Sequence, residues 1–473
     1  MHDVEMDEGE ARPSPARAAG RWGLRRSWPL AAVLTVAVLG GLAFTQSVLD
    51  ATERARITRV QALPGVVRPL GPSVHPLWRS DGASRAVTGG VLLAGRFIGG
   101  RLGSDGTQAI EAIDAATGAV AWSTAVTGPD PNVASDPSLP PQCALAQQLV
   151  VCLVVADYQL TAGTVAPTYL APRHTRIVVL DPRPGTILAE RETAVSATLA
   201  VEGDLAVIGW VAADGHAVVT GTDPRTGDIR WTFRTPTPMQ ARPGERLGLD
   251  VTAVGGSLVV ASWSHKLWLL SAAGTLLREL PGGDGSPWFA AVRTGVLALR
   301  TSEGSGKART TVVVDGRDQR GFDGEPARLT VDDGSAPGLI FTGGAPLVAW
   351  DVATGQRRWS SAASTGRNLV LIDGTLYSAT NDAVLAIDAQ TGGVRWTSPA
   401  PLHSDMAAVL TDGTVLVAVE QSPDPRLAAF DLADGQRVWQ AGLPAQVDNL
   451  LEVQGRLFAT RTSKSTVEVT ALG

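Results

Sequence analysis

Residues 112–122 read AIDAATGAVAW: an apolar pair, Asp114, two residues, Thr117-Gly118, three residues and Trp122. The same frame returns four times. GTDPRTGDIRW carries Asp223, Gly227 and Trp231, and AWDVATGQRRW carries Asp351, Gly355 and Trp359. AIDAQTGGVRW carries Asp388, Gly392 and Trp396, and AFDLADGQRVW carries Asp431, Gly435 and Trp439. In all five copies Gly follows Asp by four residues and Trp by eight. The chemistry of the frame is that of a hairpin. The apolar run before Asp is a strand, Asp accepts hydrogen bonds from amides two and three residues on, and Gly takes a left-handed conformation. The Trp on the outgoing strand suits a wedge between neighbouring sheets, with an indole N–H that needs an acceptor.

Three weaker copies fill the gaps. VVLDPRPGTILAE keeps Asp181 and Gly185 but has Ala189 at the Trp position, LLSAAGTLLREL keeps Gly274 one residue early, and TVVVDGRDQRGF keeps only Asp315. With Ser271 standing for the fourth Asp, the spacings are 67, 42, 48, 44, 36, 37 and 43. A period near 40 with strand character is that of propeller blades. Each unit also has an upstream strand opened by a Gly turn, as in DGTLYSAT at 373–380 and DGTVLVAV at 412–419. The blade is therefore a four-stranded antiparallel meander. The C-terminal GRLFATRTSKSTVEVTALG stops before any Asp turn, and the N-terminal HPLWRS, with Trp78, is an orphan Trp strand. Pairing the two closes a ring and hides two sheet edges. Eight hairpins plus the split blade count to nine. Propellers typically have four to eight blades. The reading is therefore an all-β, eight-bladed propeller, within a range of seven to nine, with one weak unit short of a blade.

These units resemble the pyrroloquinoline-quinone-like repeats, with the tryptophan-docking motif, of the quinoprotein dehydrogenase propellers. The resemblance covers about residues 74–473. The N-to-C closure is also similar to that of the outer-membrane assembly lipoprotein of the same superfamily, although no lipobox is present. The resemblance implies a propeller in which each Trp packs on the adjacent blade. The superfamily holds both enzymes and non-enzymes. Its dehydrogenases carry an adjacent Cys-Cys pair and a calcium site of Glu, Asn and Asp. Here no Cys-Cys occurs, and Asn132, Asn368, Asn381 and Asn449 are the only asparagines. No catalytic residue, metal ligand or cofactor site carries over, and no cofactor is expected.

Composition narrows the remaining classes. The chain has 473 residues, 52 Gly, 30 Pro and a net charge of −6, so it has no global basic footprint for nucleic acid. Residues 1–28 form a polar tail, and 29–49, PLAAVLTVAVLGGLAFTQSVL, hold no charge over 21 residues. That length spans a bilayer as a helix. Five arginines precede the segment closely and three follow it, which places the N-terminus in the cytoplasm and the propeller outside, at the cell membrane. A cleaved signal peptide is the rival reading, but AFTQS is a poor cleavage site. Residues 50–73, with Pro64, Pro69 and Pro72, read as a linker.

Cys143 and Cys152 flank a turn at Ala146-Gln147-Gln148, and a disulfide fits an oxidising exterior. Two buried thiols are the alternative. Three long insertions, 127–142, 157–175 and 235–248, all fall on the ring face opposite the Asp turns. Binding residues gather on such loops, although loops also grow where growth is harmless. The second insertion holds Tyr158, Tyr169 and His174. The expectation is a non-catalytic, membrane-anchored propeller that binds a protein or envelope partner through this face. A quinone- or sugar-acting envelope enzyme is the alternative, and a ligand-sensing ectodomain a third.

Overall fold

The computed structural model describes residues 46–48 and 50–473, apart from 81–83, 134–139, 162–168, 241–246, 263–265, 282–287, 294–295, 303–307, 315–317, 344–345, 364–367, 403–408, 421–423, 444–446, 448 and 464–465. The apolar stretch at 29–45, the tail before it, and Asp315 lie outside them. The chain divides into two units, Met1–Arg59 and Val60–Gly473. In the first, 50–59 are helical, and Arg56 forks onto Glu53 at 2.7 and 2.9 Å. Among the described residues no helix is long and apolar enough to cross a membrane.

The second unit is an all-β propeller of nine blades, not eight. Blades 1 to 5 are antiparallel meanders over 91–125, 142–192, 198–234, 249–281 and 288–323. Blade 6 covers 325–361, blade 7 covers 368–399 and blade 8 covers 410–442. Blade 9 joins Asn449–Val453, Arg456–Ser463 and Thr466–Leu472 to the N-terminal strand Pro76–Ser80, with Trp78 opposite Ala471. The three weak repeats are all complete four-stranded blades. What makes a blade is the apolar middle pair of strands, and those units keep it: Leu297, Leu299, Val312 and Val313 of blade 5 are buried although Asp315 has no Trp after it.

Burial shows why the ring has nine members. The buried side chains form one cluster at each of the nine junctions between neighbouring blades. Strand residues alternate between junctions, as period two requires. In Leu149–Ala156, Val150, Cys152 and Val154 face blade 1, while Leu149, Val151 and Leu153 face blade 3. Both faces are covered, so the strand reads LVVCLVVA with no polar residue. The junction between blades 9 and 1 is sealed by Trp78, Phe97 and Phe458, with Phe458 edge-on to each of the others at 5.9 and 5.5 Å.

Two departures from regular meanders occur. Blade 6 has a first strand of only two residues, Glu325-Pro326, after which Arg328–Asp332 crosses to blade 7 and pairs parallel with Asn368–Ile372 as a fifth strand. The linker expected over 50–73 is helical over 50–61. From Val60 on it belongs to the propeller. Val60, Val66, Val67 and Val74 are buried, Val67 N donates to Thr411 O (2.9 Å), Arg68 N to Gly455 O (2.7 Å) and Leu70 N to the Asp412 carboxylate (3.1 Å).

Candidate functional site

The repeat motif is the first candidate, because it sets the ring geometry. Asp114 Oδ1 accepts from Ala116 N (3.0 Å), Thr117 N (2.9 Å) and the Thr117 hydroxyl (3.0 Å). Gly118 sits at φ 71°, and the register slips by one residue at Ala112/Ile113. This is a tight turn closed by a left-handed residue and a bulge. Those amide hydrogen bonds hold the Asp114 carboxyl below the ordinary carboxylate range. Asp351 goes further, to about 2, held first by the Thr354 amide and then by the Arg358 guanidinium. Asp223 and Asp388 are lowered chiefly by Arg230 and Arg395. The arginine seven residues after Asp is thus part of the turn in blades 3, 6 and 7, a role that the five-copy frame does not reveal.

Five tryptophans lie on the turn of the next blade. Trp78 covers Gly118, Trp122 covers Gly185, Trp231 covers Gly274, Trp359 covers Gly392 and Trp396 covers Gly435, each so closely that the glycine has no room for a β-carbon. The indole N–H then reaches the carbonyl one residue past the next Asp position: Trp78 to Ala115 (3.3 Å), Trp122 to Pro182 (3.1 Å), Trp359 to Ala389 (3.0 Å) and Trp396 to Leu432 (3.1 Å). Trp231 faces the turn whose glycine comes one residue early, and its nitrogen finds no partner among the described residues. Trp439 packs among Leu457, Ala441 and Leu472 at the closing blade, which has no such turn. In blades 2 and 5, which lack the Trp, an arginine lies on the next turn. Arg191 lies across Gly227 and donates to the carbonyls of Pro224 (3.0 Å) and Arg225, and Arg320 reaches Gly355 from blade 5.

The second candidate is on the opposite face, between the first two insertions. A cavity of about 310 Å³ is lined by Gln108, Thr127–Pro131, Ala156–Gln159 and Arg173. Its walls are tied to each other. Asp130 accepts from Asn132 N (2.9 Å) and Tyr158 N (3.2 Å), and the Asn132 amide donates to Tyr158 O (3.0 Å). The Tyr158 ring is buried against Leu102 and Val133. Gln108, on the third strand of blade 1, is 1% exposed; its amide nitrogen donates to Val155 O at 2.6 Å, while its Oε1 has no partner among the described residues. Asp157 holds a left-handed backbone, φ 54°.

Tyr158 therefore lines the cavity. Tyr169 opens a short strand, Tyr169–Ala171, paired with Gln159–Thr161, and His174 stands 3.8 Å from Asp157 and 3.9 Å from Glu192, outside the lining. Gln108 and Arg173 were not singled out from the sequence. A glutamine inside QAIEAID, a strand otherwise filled with small and apolar residues apart from Glu111, was the available signal. Cys143 and Cys152 face each other across the first hairpin of blade 2 and are joined as a disulfide. The hairpin turns at Gln147 and Gln148, both at positive φ.

The comparisons with known proteins bear on the fold. The family model described as outer membrane protein assembly factor BamB matches residues 167–398 and 380–472. Among solved structures, BamB from Moraxella catarrhalis aligns at 17% identity over 70% of this chain and 95% of its own, with a TM-score of 0.39. The computationally designed Ika8 protein aligns at 14% identity over 87% and 100%, with a TM-score of 0.40. A europium-containing methanol dehydrogenase aligns at 11% identity over 89% and 100%, with a TM-score of 0.44. No curated protein matches the sequence significantly.

Proposed function

The chain belongs to the family of the outer membrane protein assembly factor BamB, and on that premise we propose that it is a membrane-anchored, extracytoplasmic propeller that binds a protein partner and catalyses nothing itself. The family match is the observation that carries this reading, since that family is described by an assembly role. The two faces of the ring support it. One is built of short turns whose side chains are spent on holding neighbours together. The other carries the long insertions, two of which are tied together by hydrogen bonds among Asp130, Asn132 and Tyr158. Loops held on a stable scaffold suit recognition. In this reading 29–49 is the anchor, with residues 1–28 in the cytoplasm.

The test uses the full chain in its own membrane. Crosslinking followed by purification in detergent is expected to bring down one stoichiometric protein partner. The same capture fails when 160–171 are replaced by a four-residue turn, which leaves the buried Tyr158 in place, while the far-ultraviolet spectrum and unfolding midpoint of the propeller stay unchanged. Capture that survives this replacement moves the surface elsewhere. A titration of the same preparation with pyrroloquinoline quinone and calcium separates out the enzyme reading: micromolar binding with dye reduction overturns the non-catalytic proposal. Protease treatment of right-side-out membranes tests the orientation, with the propeller expected to be accessible.

A further inference from the structure

The cavity between the two insertions has a chemistry that partner binding does not need. Among the described residues, two of its groups have no match and a third has only a distant one. Gln108, which lines it, is 1% exposed, and its Oε1 carbonyl acceptor has no hydrogen-bond partner among the described residues. Its own amide nitrogen is committed to Val155 O, so the side chain cannot turn round to hide the oxygen. A buried acceptor left unpaired is costly. The Asp157 carboxylate also lines the cavity, 70% exposed, with His174 3.8 Å away. So does Arg173, whose guanidinium makes no ion pair among the described residues. Asp130, also in the lining, is already used by two backbone amides.

We propose that this cavity binds a free α-amino acid as its zwitterion. The ammonium group carries several N–H donors and meets both the Gln108 carbonyl and the Asp157 carboxylate. The α-carboxylate meets the planar fork of Arg173, the geometry that guanidinium prefers. The side chain lies against Pro129 and Pro131. Charged pairs of this kind outweigh the neutral hydrogen bonds that a polyol would make with the same three groups. A volume of about 310 Å³ admits a single amino acid with room for water. The site is independent of whether the loop face also takes a protein partner, because its three ligating groups are not the ones that brace the loops.

The experiment is a thermal-shift screen of the full chain in detergent against the free L-amino acids at about 5 mM, followed by calorimetry of the hits. At least one amino acid is expected to raise the unfolding temperature. Its carboxamide analogue, which lacks the carboxylate, is expected to bind about tenfold more weakly, or roughly 1.4 kcal/mol. Arg173→Gln removes that difference and Asp157→Asn weakens both ligands. Both residues are exposed, so the variants keep the wild-type unfolding midpoint without ligand. No shift with any amino acid overturns the proposal. So does binding that ignores both substitutions, a carboxamide that binds as well as the acid, or a response to neutral sugars alone.

Discussion

The indole nitrogen of Trp122 donates to the carbonyl of Pro182 at 3.1 Å, across the boundary between blades 1 and 2. The same ring lies on Gly185, and Thr124, two residues further along the strand, donates to Gly185 O at 2.7 Å. One turn is thus gripped by its neighbour through a face, a hydrogen bond and a hydroxyl. A tryptophan lies in the same way on the turns of blades 1, 4, 7 and 8, and an arginine on those of blades 3 and 6.

Gly185→Ala is expected to destabilise the propeller by about 2–4 kcal/mol, because the new methyl group collides with the Trp122 ring as well as straining a backbone at φ 74°. Gly374→Ala is the control. It has φ 71° but open space around it, so only the strain of about 1 kcal/mol remains. Urea unfolding followed by tryptophan fluorescence separates the two. Equal losses would mean that docking adds nothing to turn strain.

Arg191 replaces the missing tryptophan at the junction between blades 2 and 3. Arg191→Ala is expected to cost about 1–3 kcal/mol, since two carbonyls lose charged donors. The double substitution Ala189→Trp with Arg191→Thr copies the Trp122 and Thr124 pattern and is expected to restore stability to within about 1 kcal/mol of wild type. A double variant no better than Arg191→Ala would show that the blade 3 turn cannot accept an indole.

The turn that joins the disulfide-bonded strands uses two glutamines at φ 50° and 61°, where Asn-Gly is the favoured pair. Replacing Gln147-Gln148 by Asn-Gly is expected to stabilise the protein by about 1 kcal/mol, less the hydrogen bond of Gln147 to Asp204 O. Thermal unfolding in the oxidised state reads this as a higher midpoint. A lower one would mean that the Asp204 contact matters more than the turn.

Acid sensitivity follows from the Asp turns. The Asp351 carboxyl is at about 2 in the folded protein and near 3.9 when unfolded. A depressed carboxyl stabilises the fold fully above its unfolded value and loses that contribution as pH falls toward its folded one. Unfolding midpoints are therefore expected to be flat above about pH 5 and to fall between pH 4 and 2. Asp351→Asn should lower the plateau and flatten that fall. An unchanged acid slope would remove this aspartate from the list of causes.

The repeat was legible because it is local: Asp, Gly and Trp act within nine residues, and their spacing states the turn. The ring closure was legible too, from a Trp strand without a turn at one end and a turnless blade at the other. The hairpin count reaches nine, within the expected range; the usual size of propellers and one weak turn favour eight, whereas Leu299 and Val312 make blade 5 from its middle strands. The parallel strand Arg328–Asp332 left no trace, since RLTVD alternates like any edge strand and only the shortness of Glu325-Pro326 frees it to cross. The loop face could be located by counting insertions. Its cavity could not, because what makes Gln108 unusual is the company of Val155, a residue 47 positions away.

The closing blade couples the two ends of the chain in time as well as in space. Pro76–Ser80 is made about 390 residues before its partner, Thr466–Leu472. Until that stretch emerges, Pro76–Ser80 is a strand without its partner, and blade 9 keeps an open edge that pairs readily with other chains. A chain that stops before Thr466 would therefore yield an aggregating product rather than a slightly smaller propeller.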